Sequence, residues 1–307
     1  MSEQLQSQSV QTTGHAWDGD LQEFNNPLPT WWVYTFYVTV AFALVYWFLY
    51  PSWPIGRSFL GGLSTLSYVN KQGVTEKSHW NTRALLMQKL NEAEQMQKPY
   101  FSKIASMSFQ QISHNQDLSG FVQSAGRALF TDNCAPCHQQ GGQGLIGAYP
   151  NLTDDDWLYG GSYENIQQTI TNGRRGYMPA FSEVLNAQQI DALANYVASL
   201  SGIGHDAAKA GEGEQLFHSE AAACYYCHGA DGKGKQTIGA PNLTDKIWLW
   251  AKVPAAENDA AKVSAIRQII YSGQNKGVMP LWSERLTPEQ IKVLTVYVHD
   301  VLGGGSK

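Results

Sequence analysis

All four cysteines of the chain fall in two copies of one pentad, "CAPCH" at residues 134–138 and "CYYCH" at residues 224–228. Two thiols set two residues apart and followed at once by an imidazole form the spacing that attaches a c-type haem. The sulfurs add to the two vinyl groups, while the next residue's imidazole reaches the iron from the same side. The pentads therefore predict two covalent c-type haems, one on Cys134 and Cys137 and one on Cys224 and Cys227, with His138 and His228 as iron ligands. A zinc ribbon would hold its cysteine pairs within roughly 15–20 residues, far closer than Cys137 and Cys224 stand. A redox disulfide motif has no need of the histidine.

The pentads sit inside a longer repeat. "GRALFTDNCAPCH" matches "GEQLFHSEAAACYYCH", "YPNLTDDDW" matches "APNLTDKIW", and "YMPAF" matches "VMPLW". The closing segments "NAQQIDALANYVASLSG" and "TPEQIKVLTVYVHDVLG" both show helical periodicity, with no alternating strand pattern against it. Met178 to Tyr196 and Met279 to Tyr297 are eighteen residues apart in both copies. The copies differ around "AKVPAAENDAA" (251–261), an insertion that reads as a surface loop.

A sixth ligand should come from the far face of each porphyrin. Met178 and Met279 recur in Met-Pro dipeptides and are the candidates; Met87, Met96 and Met107 have no such repetition and read as core filler. A thioether opposite an imidazole favours ferrous iron and leaves it coordinatively closed, which predicts electron relays with no substrate site of their own. Pro150 and Pro241 follow their histidines by twelve and thirteen residues, where a carbonyl could orient the imidazole. Asn151, Trp157, Asn242 and Trp248 repeat in phase and are candidates for the haem edge. Arg174, Arg175 and Lys276 precede the methionines and could meet propionates or be solvated surface charges. Asp154–Asp155–Asp156 reads as a solvated helix start, with docking of a basic partner as the alternative. His79, His114, His205, His218 and His299 lack a repeated counterpart and read as structural or surface residues.

Residues 31–50, "WWVYTFYVTVAFALVYWFLY", carry no charge. Twenty helical residues at about 1.5 Å each cross the roughly 30 Å of bilayer hydrocarbon, and the tryptophans and tyrosines at both ends suit the headgroup interfaces. A signal peptide is disfavoured because thirty polar residues precede the run and no basic segment or small-residue cleavage site flanks it. A buried core helix is the remaining rival. Residues 1–30 should be extended or irregular. Beyond the span, Thr75 is placed to cap a connector helix that Pro99 would stop. Net charge is −5 with no polybasic patch, so nucleic acid is excluded as a partner. The acids concentrate in residues 121–203, seven against three bases, whereas 204–307 hold eleven of each. That acidity marks the first haem segment as the better dock for a basic donor.

The repeats resemble class I cytochromes c, which implies small helical folds wrapping one haem each. "GHAWDGDLQEFNNPLPTWW" (14–32), directly before the span, and "PNLTDDDWLYGGS" (150–162) resemble the dihaem subunit III of cbb3-type cytochrome c oxidases, the CcoP or FixP family. The resemblance covers nearly the whole chain. It implies an all-α architecture: a cytoplasmic segment (1–30), one transmembrane helix (31–50), a periplasmic helical connector (51–119), and two tandem cytochrome c domains (120–203 and 204–307). It also implies thioether links at the four cysteines and axial pairs His138/Met178 and His228/Met279. The implied partners are a cytochrome c donor, a mono-haem cytochrome subunit, and the catalytic haem-copper subunit where O2 is reduced and protons are moved. The chain itself would be a single-pass protein of the bacterial inner membrane, its haems in the periplasm. Flank charge opposes that orientation: no Lys or Arg precedes the span and seven lie in 51–120. Long translocated domains largely ignore flank charge, and c-type haem attachment takes precedence. The rival readings are a free-standing tethered dihaem cytochrome and a dihaem peroxidase. The peroxidase would need an iron with an openable site, which two Met-Pro ligands argue against.

Overall fold

The structure, a computed structural model, describes residues 11–70, 72–275 and 277–305. It is mostly helical and divides into two compact units, residues 1–96 and 97–307.

In the first unit, β1 (Thr12–Trp17) and β2 (Leu21–Phe24) form an antiparallel hairpin, closed where Asp18 and Gly19 take positive φ. The segment expected to be irregular is thus ordered between 12 and 24, while residues 1–10 lie outside the described residues. Helix α1 (Thr30–Leu49) starts after Pro29 and contains no charged or buried residue. Thr35 and Thr39 donate their hydroxyls to Trp31 O and Phe36 O, at 2.9 and 2.7 Å, so these polar groups are satisfied within the helix. Among the described residues it is the one helix long and apolar enough to cross a bilayer, and its exposure on every side excludes a buried core helix.

The connector departs from expectation. β3 (Pro54–Ile55) pairs with β4 (Ser58–Phe59), and β5 (Thr65–Val69) pairs with β6 (Thr75–His79). Thr75 is therefore a strand residue, drawn into a ladder opposite Val69, and caps no helix. Helix α2 (Thr82–Ser106) is capped by Asn81, whose side chain accepts from the Ala84 N–H at 2.8 Å. Pro99 does not stop it. A helix-interior proline costs about 3 kcal/mol, and packing beyond it offsets that cost: Tyr100 and Phe101 lie on Phe121, with ring centroids at 4.7 and 5.1 Å, and Ile104 is fully buried.

The second unit contains α3 (Phe109–Ser113), α4 (Gln116–Asn133), α5 (Ala135–His138), α6 (Tyr163–Asn172), β7 (Arg174–Arg175), α7 (Ala187–Leu200), α8 (Ala207–Phe217), α9 (Cys224–His228), α10 (Asp259–Ser272), β8 (Val278–Met279) and α11 (Pro288–Val296), which runs on as a π turn over Tyr297–Val301. Polar side chains begin the main helices: Asn115, Ser162, Asn186, Asp206, Asn258 and Thr287 each accept from a first-turn N–H.

The cores do not follow the tandem boundaries at 119/120 and 203/204. One core joins Phe130, Ala135, Ile166 and Ile170 of the first copy to Trp282, Leu286, Ile291, Leu294 and Tyr297 of the second. The other joins Leu185, Ile190, Leu193 and Val197 of the first copy to Phe217, Ile266 and Ile270 of the second. The copies have exchanged their closing segments, so α11 packs on α4 and α6, and α7 packs on α8 and α10. Gly126 admits this crossing in one core, because a Cβ there would fall 2.6 Å from the Tyr297 Cβ; Gly213 plays the same part against Ala192 and Tyr196 in the other. Chain geometry favours the exchange: only six residues lie between α7 and α8, and consecutive elements so joined pack together most readily. The 251–261 insertion also differs from expectation. Ala251 and Val253 enter the second core, because the insertion carries apolar residues that a surface loop would leave in water.

Candidate haem-binding sites

Each pentad forms a short helix that follows a longer one. α4 is capped by Cys134, and α5 carries the first pentad with Ala135 and His138 buried. α9 carries the second pentad, behind Ala223 at φ 50, with Cys224, Tyr225 and His228 half-buried. His138 donates from Nδ1 to Pro150 O at 3.0 Å, and His228 from Nδ1 to Pro241 O at 3.1 Å. These are the carbonyls that the recurring prolines suggested. An Nδ1–H so engaged leaves Nε2 as the lone-pair nitrogen facing a metal. Burial lowers the pKa of both imidazoles, outweighing the opposing effect of the proline carbonyls, and favours the neutral, ligating form.

The thiols behave differently. Burial, followed by repulsion from Cys137, pushes Cys134 up to about 12; burial pushes Cys224 up to about 11. Among the described residues no three His, Cys, Asp or Glu side chains converge as a metal site, and no disulfide joins the four cysteines.

The methionines are exchanged with their segments. Met279 packs against the core that holds Cys134, Ala135 and Trp157, whereas Met178 packs against the core that holds Cys224, Tyr225 and Trp248. The expected grouping of His138 with Met178 and His228 with Met279 is therefore not the one the packing gives. A crossing of this kind leaves no trace in sequence spacing, since both copies carry the same Met-to-Tyr interval. The short link between α7 and α8 was the available signal.

One donor in the first site is unspent. Trp157 Nε1 is buried without a hydrogen-bond partner. Leaving a buried donor unpaired costs about 1–3 kcal/mol, so the indole points to an acceptor on a ligand, as a haem carboxylate would supply. The residues present fit a covalently held haem.

Other candidates turn out to be engaged locally. Asn151 and Asn242 accept from Thr153 and Thr244 through both backbone N–H and hydroxyl, at 2.8–3.0 Å, and so build the loops. Arg174 stacks 4.5 Å over the Tyr159 ring and donates to Thr169 Oγ1 and Gln168 Oε1. Arg175 is exposed and reaches Asn275. Lys276 lies outside the described residues. His299 bonds Asp300 at 2.6 Å and stacks on Tyr163 at 3.8 Å, a structural setting.

Asp154–Asp155–Asp156 starts no helix, since α6 begins only at Tyr163. Asp154 and Asp156 instead line a cleft of about 240 Å³ with Tyr149, Asn151, Lys246 and Trp248. Burial, then the charges of Asp245 and Asp154, push Asp156 up to about 6. Burial likewise raises Asp154 and Asp245.

Comparison with known proteins shows the family to which the chain is similar. A family model described as "Cytochrome C oxidase, cbb3-type, subunit III" matches residues 122–197 and 208–298, and one described as "N-terminal domain of cytochrome oxidase-cbb3, FixP" matches residues 9–57. The chain is 42% identical over 303 residues to the cbb3-type cytochrome c oxidase subunit FixP of Azorhizobium caulinodans, covering 96% of this chain and 93% of that one. It is 42% identical over 308 residues to the FixP subunit of Bradyrhizobium diazoefficiens, with 96% and 95% covered. The CcoP subunit of Cereibacter sphaeroides is 39% identical over 305 residues, again with 96% and 95% covered.

Proposed function

The chain belongs to the subunit III family of cbb3-type cytochrome c oxidases and is an electron-transfer subunit of that complex; from this premise we propose that it carries two covalent c-type haems with crossed axial ligands. His138 and Met279 would hold one iron, and His228 and Met178 the other. When bound, each haem supplies a one-electron ferrous/ferric couple.

The chain's own residues do the rest. Pro150 and Pro241 fix the tautomer and tilt of the two imidazoles. With haem bound, the methionine thioethers would complete the iron's ligand set, which would exclude O2 and peroxide and restrict each site to electron transfer. Trp157 donates to a haem carboxylate, and the apolar walls from both copies exclude water. α1 anchors the chain in the membrane with residues 1–30 in the cytoplasm and both haem halves in the periplasm. Electrons enter from a cytochrome c donor and leave toward the mono-haem subunit and the catalytic haem-copper subunit, where O2 is reduced.

The observation that carries the proposal is the repeated imidazole-to-proline bond, with a methionine from the other copy packed in the same core. Chains with one haem test it. With Cys224 and Cys227 both changed to Ala, the haem on His138 alone remains. In that background Met279→Ala should abolish the far-red thioether-to-ferric charge-transfer band, and Met178→Ala should leave it in place. Met279→His, which supplies a replacement ligand, should lower the reduction potential without loss of haem. The reverse pattern overturns the crossed pairing.

A further inference from the structure

Helices α6 and α10 both end on a glycine, Gly173 at φ 68 and Gly273 at φ 66, a backbone region that side chains other than glycine rarely enter. Both glycines are buried and both press on a methionine backbone. A Cβ on Gly273 would stand 2.6 Å from the Met178 carbonyl oxygen and from the Ala180 nitrogen. A Cβ on Gly173 would collide with the Met279 carbonyl oxygen and stand 2.7 Å from the Leu281 nitrogen. In each half the helix end is thus the surface against which the incoming methionine segment rests.

The two incoming segments also hold each other. After Gly173 the chain pairs antiparallel with the segment that delivers the second methionine, Arg174 opposite Met279 and Arg175 opposite Val278. Met178 N–H donates to Gln274 O and Gln274 N–H donates to Met178 O, both at 2.8 Å. The ribbon is fastened at its ends by matching bonds, from Phe181 N–H to Ile270 O at 3.1 Å and from Trp282 N–H to Ile170 O at 3.1 Å. Met178 is therefore bonded directly to the residue that follows Gly273, and Met279 pairs with the residue that follows Gly173. Displacing either methionine strains the rungs on which the other is carried.

We infer that Gly173 and Gly273 are positioning residues for the two iron-ligating thioethers, and that the ribbon between them makes methionine ligation at the two irons one cooperative unit. The inference rests on the crossed pairing proposed above.

Imidazole, which competes with a thioether for ferric iron, is the probe. The full haem-loaded chain is titrated in detergent while the thioether band and the reduction potentials of both haems are followed. Wild type should lose both thioethers in one transition with a Hill coefficient above 1. Gly273→Ala should raise imidazole affinity at least tenfold at the haem on His228 and severalfold at the haem on His138, with both potentials lowered. Met178→His fills its own sixth position and so keeps haem and fold even if Gly273→Ala does not. It should still admit imidazole severalfold more readily at the haem on His138. Two independent transitions, with each variant's effect confined to one haem, overturn the inference. The chains with one haem decide the pairing separately: should they place Met178 opposite His138, the pairing falls, while the Hill coefficient still reports on the ribbon.

Discussion

The two pentad-bearing halves use the same parts, yet their closing helices are held in different ways. α7 needs only a short linker to reach α8, and that linker is pinned by Asn195, which accepts from the Asp206 N–H at 2.9 Å and donates to Asp191 O at 2.8 Å. α11 reaches α4 from the far end of the chain. Closing a loop of about 150 residues instead of about seven costs roughly 3 kcal/mol more in chain entropy. The first half supplies fastenings that the second lacks. Val293 and Val296 on the outer face of α11 enter a further core with Ile104, Phe109, Ile112, Leu118 and Val122. Lys292 donates to the Ala105 and Met107 carbonyls, and Tyr163 donates to Asp300 at 2.7 Å. The pentads follow the same division, with His138 buried at 8% exposed and His228 only half-buried. A helix that arrives from far along the sequence is held by added packing; one that arrives next door is held by its linker.

The largest effect should come from cutting the chain after residue 203. Autonomous tandem domains would leave the first haem half intact. The exchanged cores instead remove α11 and Met279 from it and strand α7, so the truncated chain should show no cooperative thermal transition in that half and no thioether band. A truncated chain that keeps both would sink the exchange.

Core truncations sharpen the assignment. Leu294 is 0% exposed and Leu193 1%, and Leu→Ala at such sites costs about 2–5 kcal/mol. Hydrogen exchange should show Leu294→Ala loosening α4 and α6, encoded in the first copy. Leu193→Ala should loosen α8 and α10, encoded in the second. Loosening confined to the copy that bears each substitution would contradict the cores described here.

A smaller effect tests the fastening. Tyr163→Phe removes the bond to Asp300 and should cost about 1 kcal/mol, read as a lower melting temperature of the first half with the second unchanged. Equal loss in both halves would remove the distinction.

The smallest effect is electrostatic. Asp156, pushed up to about 6 from 3.8, binds more protons folded than unfolded between those values. Stability therefore falls as pH rises through that window. Asp156→Asn should stabilise the first half by about 1 kcal/mol at pH 7, a figure discounted for partial solvent exposure. The gain should vanish below pH 3.8; a gain that grows toward acid would contradict this account.

Much of the site was legible because its chemistry is local. The pentads, the Met-Pro pair and the prolines after each histidine are fixed by short spacings, and the imidazole-to-proline bonds formed where those spacings put them. Failures arose where tertiary packing overrode local preference. Thr75 joined a strand ladder instead of capping a helix, and Pro99 stayed inside α2 because Ile104 and the rings on Phe121 hold the helix beyond it. Arg174 offered a charge for a propionate, but Tyr159, Thr169 and Gln168 engage it first.

By itself the sequence determined that this chain repeats one haem-attachment pattern twice behind a single apolar helix, since adjacent residues fix covalent geometry and hydrophobic length whatever the rest of the chain does. Tertiary structure alone decided which methionine shares a core with which pentad. The two copies present nearly the same faces, so spacing cannot tell a partner within a copy from its equivalent in the other. The choice fell to the whole-chain balance between a short linker that holds α7 against α8 and the extra core that holds α11 against α4.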